Sequence, residues 1–424
     1  TTPAIDSLST MELFRLLLSH PVSSAVALGA VYLLWVVLDR LYLSPIAGFP
    51  GPKLAALTHL YEFYWDTICC GQFTFQIGRL HEKYGKRNPL TCRLRSECTP
   101  SSSIDHFLAF ILVRYDISTV HLYSCHTGPI VRISPTELHI NDPDYYEVLY
   151  SRDSPRNKYE YYQKTLNAPL ALLNTIDHHL HRQLRAQLNP FFSSTRIRRQ
   201  EPAIKALVNK LCRRLDELKN TGQPLNIEHA LTCYTTDVIT DYSMGDGYHY
   251  LDAPDFIPQW HGTLNGTAKT MVFIRPVAWA LPLLLALPEA VTAWLNPGME
   301  LFFDFQRRCR KMIKRIVAAH NEKGNQGVQN EGFVNIFDDI LRSNLPAKNK
   351  SETRLAQEMQ VLVSAGAETT AKAITYILFY LLNDPETMAK LKAELETVGE
   401  DPALVQLEQL PYLVSHLATW PRPG

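Results

Sequence analysis

The chain has no cysteine pair at Cys-x-x-Cys spacing, no glycine-rich loop to cradle phosphate, no internal repeat and no excess of either charge. Each absence removes a class of protein. Eight cysteines are scattered over 424 residues, with only Cys69 and Cys70 adjacent. That pattern excludes a disulfide framework or a paired-thiolate zinc site and fits reduced thiols in a cytosolic compartment. Lys plus Arg (42) balance Asp plus Glu (42), so no basic surface speaks for nucleic acid. The length allows one large domain plus an anchor.

One long uncharged run is present. Leu16 to Leu38 lies between Arg15 and Asp39 and is long enough to cross a bilayer. Its polar interruptions, Ser19, His20, Ser23 and Ser24, fall in the first half. A signal peptide is the competing reading. The run leads into Leu43-Ser44-Pro45 and Phe49-Pro50-Gly51-Pro52, a stiff hinge rather than a small-residue cleavage site, which favours an uncleaved anchor. The expected layout is an anchor over 1–43, a Pro-rich hinge over 44–53 and one domain over 54–413.

Beyond the hinge, Leu54 to Lys83 has helical apolar spacing. Ile130, Val131 and Ile133, then Leu138 and Ile140, read as short strands around Ser134-Pro135, and Asp142-Pro143 starts a short helix. Met271 to Pro288 is apolar apart from Arg275, but three prolines argue against a second span. It reads as a loop dipping into a membrane surface or as a plain core segment. Pro297 to Glu322 is an amphipathic helix with Arg307, Arg308, Arg310, Lys311, Lys314 and Arg315 on one face. Such a face is commonly just solvated, but it suits acidic lipid or a protein partner.

The most informative stretch is Ala365-Gly366-Ala367-Glu368-Thr369-Thr370, inside an apolar run from Leu355 to Leu382 that reads as one buried helix. A buried carboxylate is costly unless paired or working. Thr369 can bond back to the preceding turn, and glycine costs roughly 1 kcal/mol relative to alanine. Three unfavourable local choices together mark a functional site. The hexapeptide resembles the oxygen-activation motif of the cytochrome P-450 haem-thiolate monooxygenases, and the helix begun by Asp384-Pro385 fits that family. The resemblance implies a mainly α fold with a small β portion and an N-terminal transmembrane helix. It assigns Glu368 and Thr369 to proton delivery and leaves room for dioxygen at Ala365 and Gly366.

Further upstream, His178-His179-Leu180-His181-Arg182-Gln183-Leu184-Arg185 precedes Asn189-Pro190-Phe191-Phe192. Spacing of i, i+4 puts His181 and Arg185 on one helix face. From the residues alone, this is a solvated basic face or a carboxylate grip. The resemblance assigns His181 and Arg185 to a haem propionate. Metal ligation by the histidines is disfavoured, because no carboxylate or thiolate is spaced to join them.

The sequence also departs from the family. The Phe-x-x-Gly-x-Arg-x-Cys-x-Gly loop that supplies the axial thiolate has no match, and the partial match Phe302, Arg307 and Cys309 is helical and lies on the wrong side of the motif. Glu-x-x-Arg occurs only at Glu12 to Arg15, ahead of the anchor. Val414-Ser415 can be encoded as an intron start, so residues 414–424 are expected to be an aberrant tail. Residues 86–127 are likewise expected to be a retained intron, or else a genuine loop insertion. The domain is therefore expected to be incomplete at its C-terminus and inactive as written.

The resemblance implies a haem-dependent oxidoreductase in the endoplasmic reticulum membrane, spanning it once, with a cytosolic catalytic domain. It would use an NADPH-dependent reductase and hydroxylate or epoxidise an apolar small molecule. The Leu-Ser-Pro hinge and the Gly-Pro-Lys-Leu-Ala-Ala and Leu-Asn-Pro-Phe-Phe-Ser segments resemble fungal secondary-metabolite members, including trichodiene-type oxygenases. Two other readings stand beside it: a non-catalytic anchored helical remnant, and a small-molecule binder without redox chemistry.

Overall fold

The structure, a computed structural model, describes residues 21–84, 130–151, 153–163, 168–219, 221–245, 247–280, 283, 286–288, 291, 298–326 and 335–419. The chain divides into two compact units. The first is Thr1–Pro155 with Val272–Val277; the second is Arg156–Met271 with Ala278–Gly424. The expected insert at 86–127 and the final residues 420–424 lie outside the described residues.

In the first unit, α1 (Pro21–Leu38) opens the described chain. It belongs to a stretch, Ala25–Leu43, that is apolar and long enough to cross a membrane, and none of that stretch is buried. Such exposure suits a hydrocarbon environment and is costly in water. The helix expected over Leu54 to Lys83 is broken. Short turns at Lys53–Leu57, Leu60–Phe63 and Tyr64–Ile68 precede α2 (Phe73–Tyr84). The causes are local: the backbone is extended at Thr58 (φ −154°, ψ 147°), and Cys70 and Gly71 take φ values of 56° and 84°, a left-handed reversal that no helix continues through.

The expected strands are present. β1 (Ile130–Arg132) pairs antiparallel with β2 (Leu138–Ile140), Ile130 opposite Ile140 and Arg132 opposite Leu138. Arg132 is buried, and its guanidinium donates to the carbonyls of Arg40 (2.8 Å), Pro135 (2.8 Å), Ser134 (3.3 Å) and Ala56 (3.5 Å). Burial first, and then the charge of Arg40, push its pKa down to about 10. The end of the apolar stretch, the first turn and the loop after the strand are thus tied by one side chain, while the Arg132 amide donates to the Pro50 carbonyl of the hinge. Arg275 makes a second tie, donating to Glu62 (2.7 Å) and Asp66 (2.5 Å).

The second unit is helical. It contains α3 (His178–Leu188), α4 (Glu201–Lys219), α5 (Ile227–Met244), α6 (Pro258–Ile274, whose end joins the first unit), α7 (Gly298–Gln326), α8 (Ile336–Arg342), α9 (Glu352–Asn383), α10 (Pro385–Glu396) and α11 (Pro411–Thr419). Their limits are written in side chains. Asp177, Asn226, Asn335 and Ser351 cap α3, α5, α8 and α9 through side-chain oxygens. Asp384 ends α9 and caps α10, with Pro385 in its first turn. Gly245, at φ 74°, closes α5.

The core of this unit gathers around the first half of α9. Leu355, Met359, Val363 and Ala367 meet Phe305, Cys309 and Ile313 of α7 and Ile336 and Phe337 of α8. Leu184 and Leu188 of α3 join from a third side. The expectation that α9 is buried throughout does not hold. Tyr376, Phe379, Tyr380 and Leu382 are all more than half exposed.

Candidate active site on the long helix

The hexapeptide lies at the middle of α9, where α5 packs on it. Gly366 has a structural use there. A Cβ added to it would stand 2.7 Å from Cγ1 of Ile239, so the space beside the glycine in that direction is filled by α5. One residue on, the Ala367 carbonyl accepts a hydrogen bond of 2.7 Å from the Thr235 hydroxyl of α5. Ala365 is exposed, and Ala367 is fully buried.

Thr369 is exposed, and its hydroxyl donates to the Ala365 carbonyl at 2.6 Å, the back-bond its position allows. Glu368 is mostly buried, with 12% of its side chain exposed, and it is paired: Lys372 Nζ lies 2.7 Å from its Oε1. Lys372 also donates to Asn265 of α6 at 3.4 Å. The acid–alcohol pair thus stands on one helix between α5 and α6, with a lysine donor holding the acid. That lysine was legible as a Glu–Lys pair at i, i+4 and is absent from the sequence-based site.

His181 and Arg185 do share one side of α3, as i, i+4 spacing dictates, and they flank the buried Leu184 and Leu188. Arg185 is exposed, and its Nε donates to Asn189 at 2.9 Å. His181 is held below the usual histidine range, first by burial and then by the charges of Lys158, Arg185 and His178. Lys158 is held below the usual lysine range by burial and by Arg185, while Glu358 acts the other way. Three potential cations therefore converge where the sequence named two. Lys158 lies on irregular chain before α3, so no helical spacing announces it. His179 is exposed and His178 is half-buried.

The loop carrying Lys158 is tied to α9. Gln357 accepts from the Leu170 amide (2.7 Å), and Glu358 accepts from the Leu172 amide (2.9 Å). Glu358 also pairs with Arg354 at 3.2 Å. Burial pushes the Glu358 pKa up, against the pull of those donors. Lys158 Nζ closes the other side of the loop by donating to the Leu173 carbonyl at 2.7 Å.

A haem group fits this unit in one respect. The convergent cations of Lys158, His181 and Arg185 are the donor chemistry a pair of carboxylates takes. The two buried cysteines among the described residues are less suited to iron. Burial pushes the thiols of Cys233 and Cys309 up to about 12, so both are protonated and inert. The rejection of Cys309 as a ligand agrees with its place in the core. Among the described residues one trio with metal-ligand geometry lies in the first unit: His59, Glu62 and Glu137. Glu62 already accepts from Arg275 there.

Comparison with known proteins fits these observations. The cytochrome P450 monooxygenase MO6277 of Ascocoryne sarcoides is 37% identical over 93% of this chain and 71% of its own length. A cytochrome P450 monooxygenase, dpmpJ, of Macrophomina phaseolina is 34% identical over 84% of this chain and 97% of its own. The tryptophan 6-hydroxylase fscE of Fusarium equiseti is 32% identical over 92% and 69%. A solved cytochrome P450, CYP102L1, has the same fold, with a TM-score of 0.51 at 15% identity, over 71% of this chain and 65% of that one. The cytochrome P450 family model matches residues 108–417. The limits of that match fall inside both segments expected to be aberrant. With a mainly helical fold, a small sheet and an apolar N-terminal helix, the chain belongs to the cytochrome P450 family and is an oxidoreductase of its monooxygenase type.

Proposed function

We propose that this chain is a haem-binding monooxygenase of fungal secondary metabolism whose reaction is the hydroxylation or epoxidation of an apolar small molecule, and that it is inactive as written because the loop supplying the axial thiolate has no match in it. The observation that carries the reading is the convergence of Lys158, His181 and Arg185 in the same unit as Glu368 and Thr369. In this reading Lys158, Arg185 and the neutral His181 take the propionates. Haem, when bound, supplies the iron chemistry of dioxygen reduction, with electrons from an NADPH-dependent reductase. The chain supplies positioning and protons. Arg185 offers a planar fork to a carboxylate, and Lys158 a point charge. His181, held low first by burial and then by its cationic neighbours, donates a hydrogen bond without adding further repulsion. Glu368 and Thr369 hold protons beside the substrate, and Lys372 keeps the acid oriented. The apolar helix α1 anchors the chain in the endoplasmic reticulum membrane, with the catalytic part on the cytosolic side.

The test separates binding from chemistry. Arg185→Ala and Lys158→Ala should each lose haem, since a hydrogen bond to a charged group contributes roughly 1.5–3 kcal/mol. Haem per protein after gel filtration, read by Soret absorbance, reports it. Unchanged occupancy in the double variant would remove the propionate role. In a form of the protein that carries the axial-thiolate loop, Thr369→Ala should instead keep haem and consume reductant with little product. Full coupling in that variant would remove its proton role.

A further inference from the structure

The basic face of α7 has no use in the proposed chemistry, and the structure resolves it into two parts. Arg308 turns away and pairs with Asp304 at 2.7 Å. Arg307, Arg310, Lys311, Lys314 and Arg315 instead line a groove of about 560 Å³ whose only other lining residue is Ala318. Among the described residues, Arg310, Lys311, Lys314 and Arg315 form no ion pair, and all four are exposed. The opposite face is fixed in the core through Phe305, Cys309, Ile313 and Ile316, so this face is held outward. Just ahead of the helix in the same unit, Leu283, Leu287 and Val291 are exposed, and Leu301 is exposed in its first turn.

We infer that this groove docks on an anionic lipid bilayer, its cations against phosphate and carboxylate headgroups. Charge complementarity names the occupant's sign, and composition names its kind. A protein interface is built around buried aromatic or aliphatic anchors with a polar rim, and this groove has none. Basic residues on an exposed helix face with apolar side chains nearby are the pattern of attachment to a lipid interface. Arginine and lysine mix freely there, as diffuse headgroup charge permits, whereas bidentate recognition of a single site favours arginine. The inference goes beyond the reading that α1 anchors the chain, and adds a charge-dependent contact that stands independently of the apolar one.

The full chain is reconstituted into vesicles of phosphatidylcholine alone or with phosphatidylserine. Flotation reads anchoring. Acetylation of lysines by a water-soluble reagent, read by mass spectrometry, reports the groove. Lys311 and Lys314 should be labelled roughly fivefold less on the anionic vesicles, an effect of about one surface charge contact each. High salt should abolish the difference, and exposed Lys392 should show none. Arg310→Glu combined with Lys314→Glu should abolish protection of Lys311 while leaving flotation on neutral vesicles unchanged. Flotation on both vesicles with equal labelling overturns the inference and leaves the anchor. Flotation on anionic vesicles alone upholds the inference and removes the anchor, and flotation on neither overturns both. Protection that appears only on adding an acidic soluble protein assigns the groove to a protein partner and overturns the lipid proposal.

Discussion

The two halves of α9 are both rich in apolar side chains and opposite in setting. In the first half, Leu355, Met359, Val363 and Ala367 recur every fourth residue and are all 0% exposed. In the second, Tyr376, Phe379, Tyr380 and Leu382 are 56%, 59%, 53% and 73% exposed. The first half has α7, α8 and α3 around it, while the second has α5, which runs on along α9 to Ala371, Ile374 and Leu378. Past Ala371 the apolar side chains outnumber the neighbours that take them. Apolar periodicity therefore tells which side chains are able to enter a core, and packing partners decide which of them do. The candidate site sits at the boundary, where Ala367 is sealed and Thr369 faces out.

Substitutions along α9 sharpen or break this contrast. The largest loss should come from Glu358→Ala in the buried half. It strands Arg354 and frees the Leu172 amide, and breaking a buried pair costs about 3–5 kcal/mol. Urea unfolding in detergent micelles measures it, and a loss below about 1 kcal/mol would show that the first half is not the rigid one. Gly366→Val should cost about 1–3 kcal/mol, because the added branches meet Ile239. A neutral result would mean that α5 and α9 slide apart freely at the candidate site.

A pH effect arises in the same half. Burial raises the folded-state pKa of Glu358 above its ordinary 4.5. The folded state then holds a proton that the unfolded state releases, so this group's stabilising share is complete below the ordinary value. It declines as pH rises through the raised one. Glu358→Gln should flatten the melting temperature over that window, and an unchanged slope would assign the pH dependence elsewhere. The smallest effect belongs to the exposed half. Tyr380→Ser should change stability by about 0.5 kcal/mol or less and should lower binding of a hydrophobic dye. A loss comparable with that of Glu358→Ala would erase the distinction between the halves.

The elements were largely legible, because their signals are local. Asn335 before Ile336 and Asp384-Pro385 between two helices are punctuation that a single sequence carries. The site was legible only where helical spacing joined its members, as with His181 and Arg185. Lys158 reaches them through irregular chain held by Glu358, a separation of 186 residues between Leu172 and its acceptor. No periodicity spans that. The meeting of Gly366 with Ile239 is equally a property of two helices, and the sequence offers only the glycine. The break at Cys70 was missed because its cause is a backbone angle at a residue that seldom adopts it.

Arg132 has a consequence for the order in which the chain matures. Its side chain ties down carbonyls of Arg40 and Ala56, yet it is made 92 residues after the first of them. At about 5–20 residues per second, the hinge leaves the ribosome roughly 5–18 s before its partner exists. During that interval the segment next to the apolar helix has only its own Arg40, which donates to the Leu57 carbonyl, and lacks the tie that Arg132 makes. The base of the molecule is therefore set after α1 has been made, and whatever receives that helix during synthesis acts on a chain whose hinge is still open.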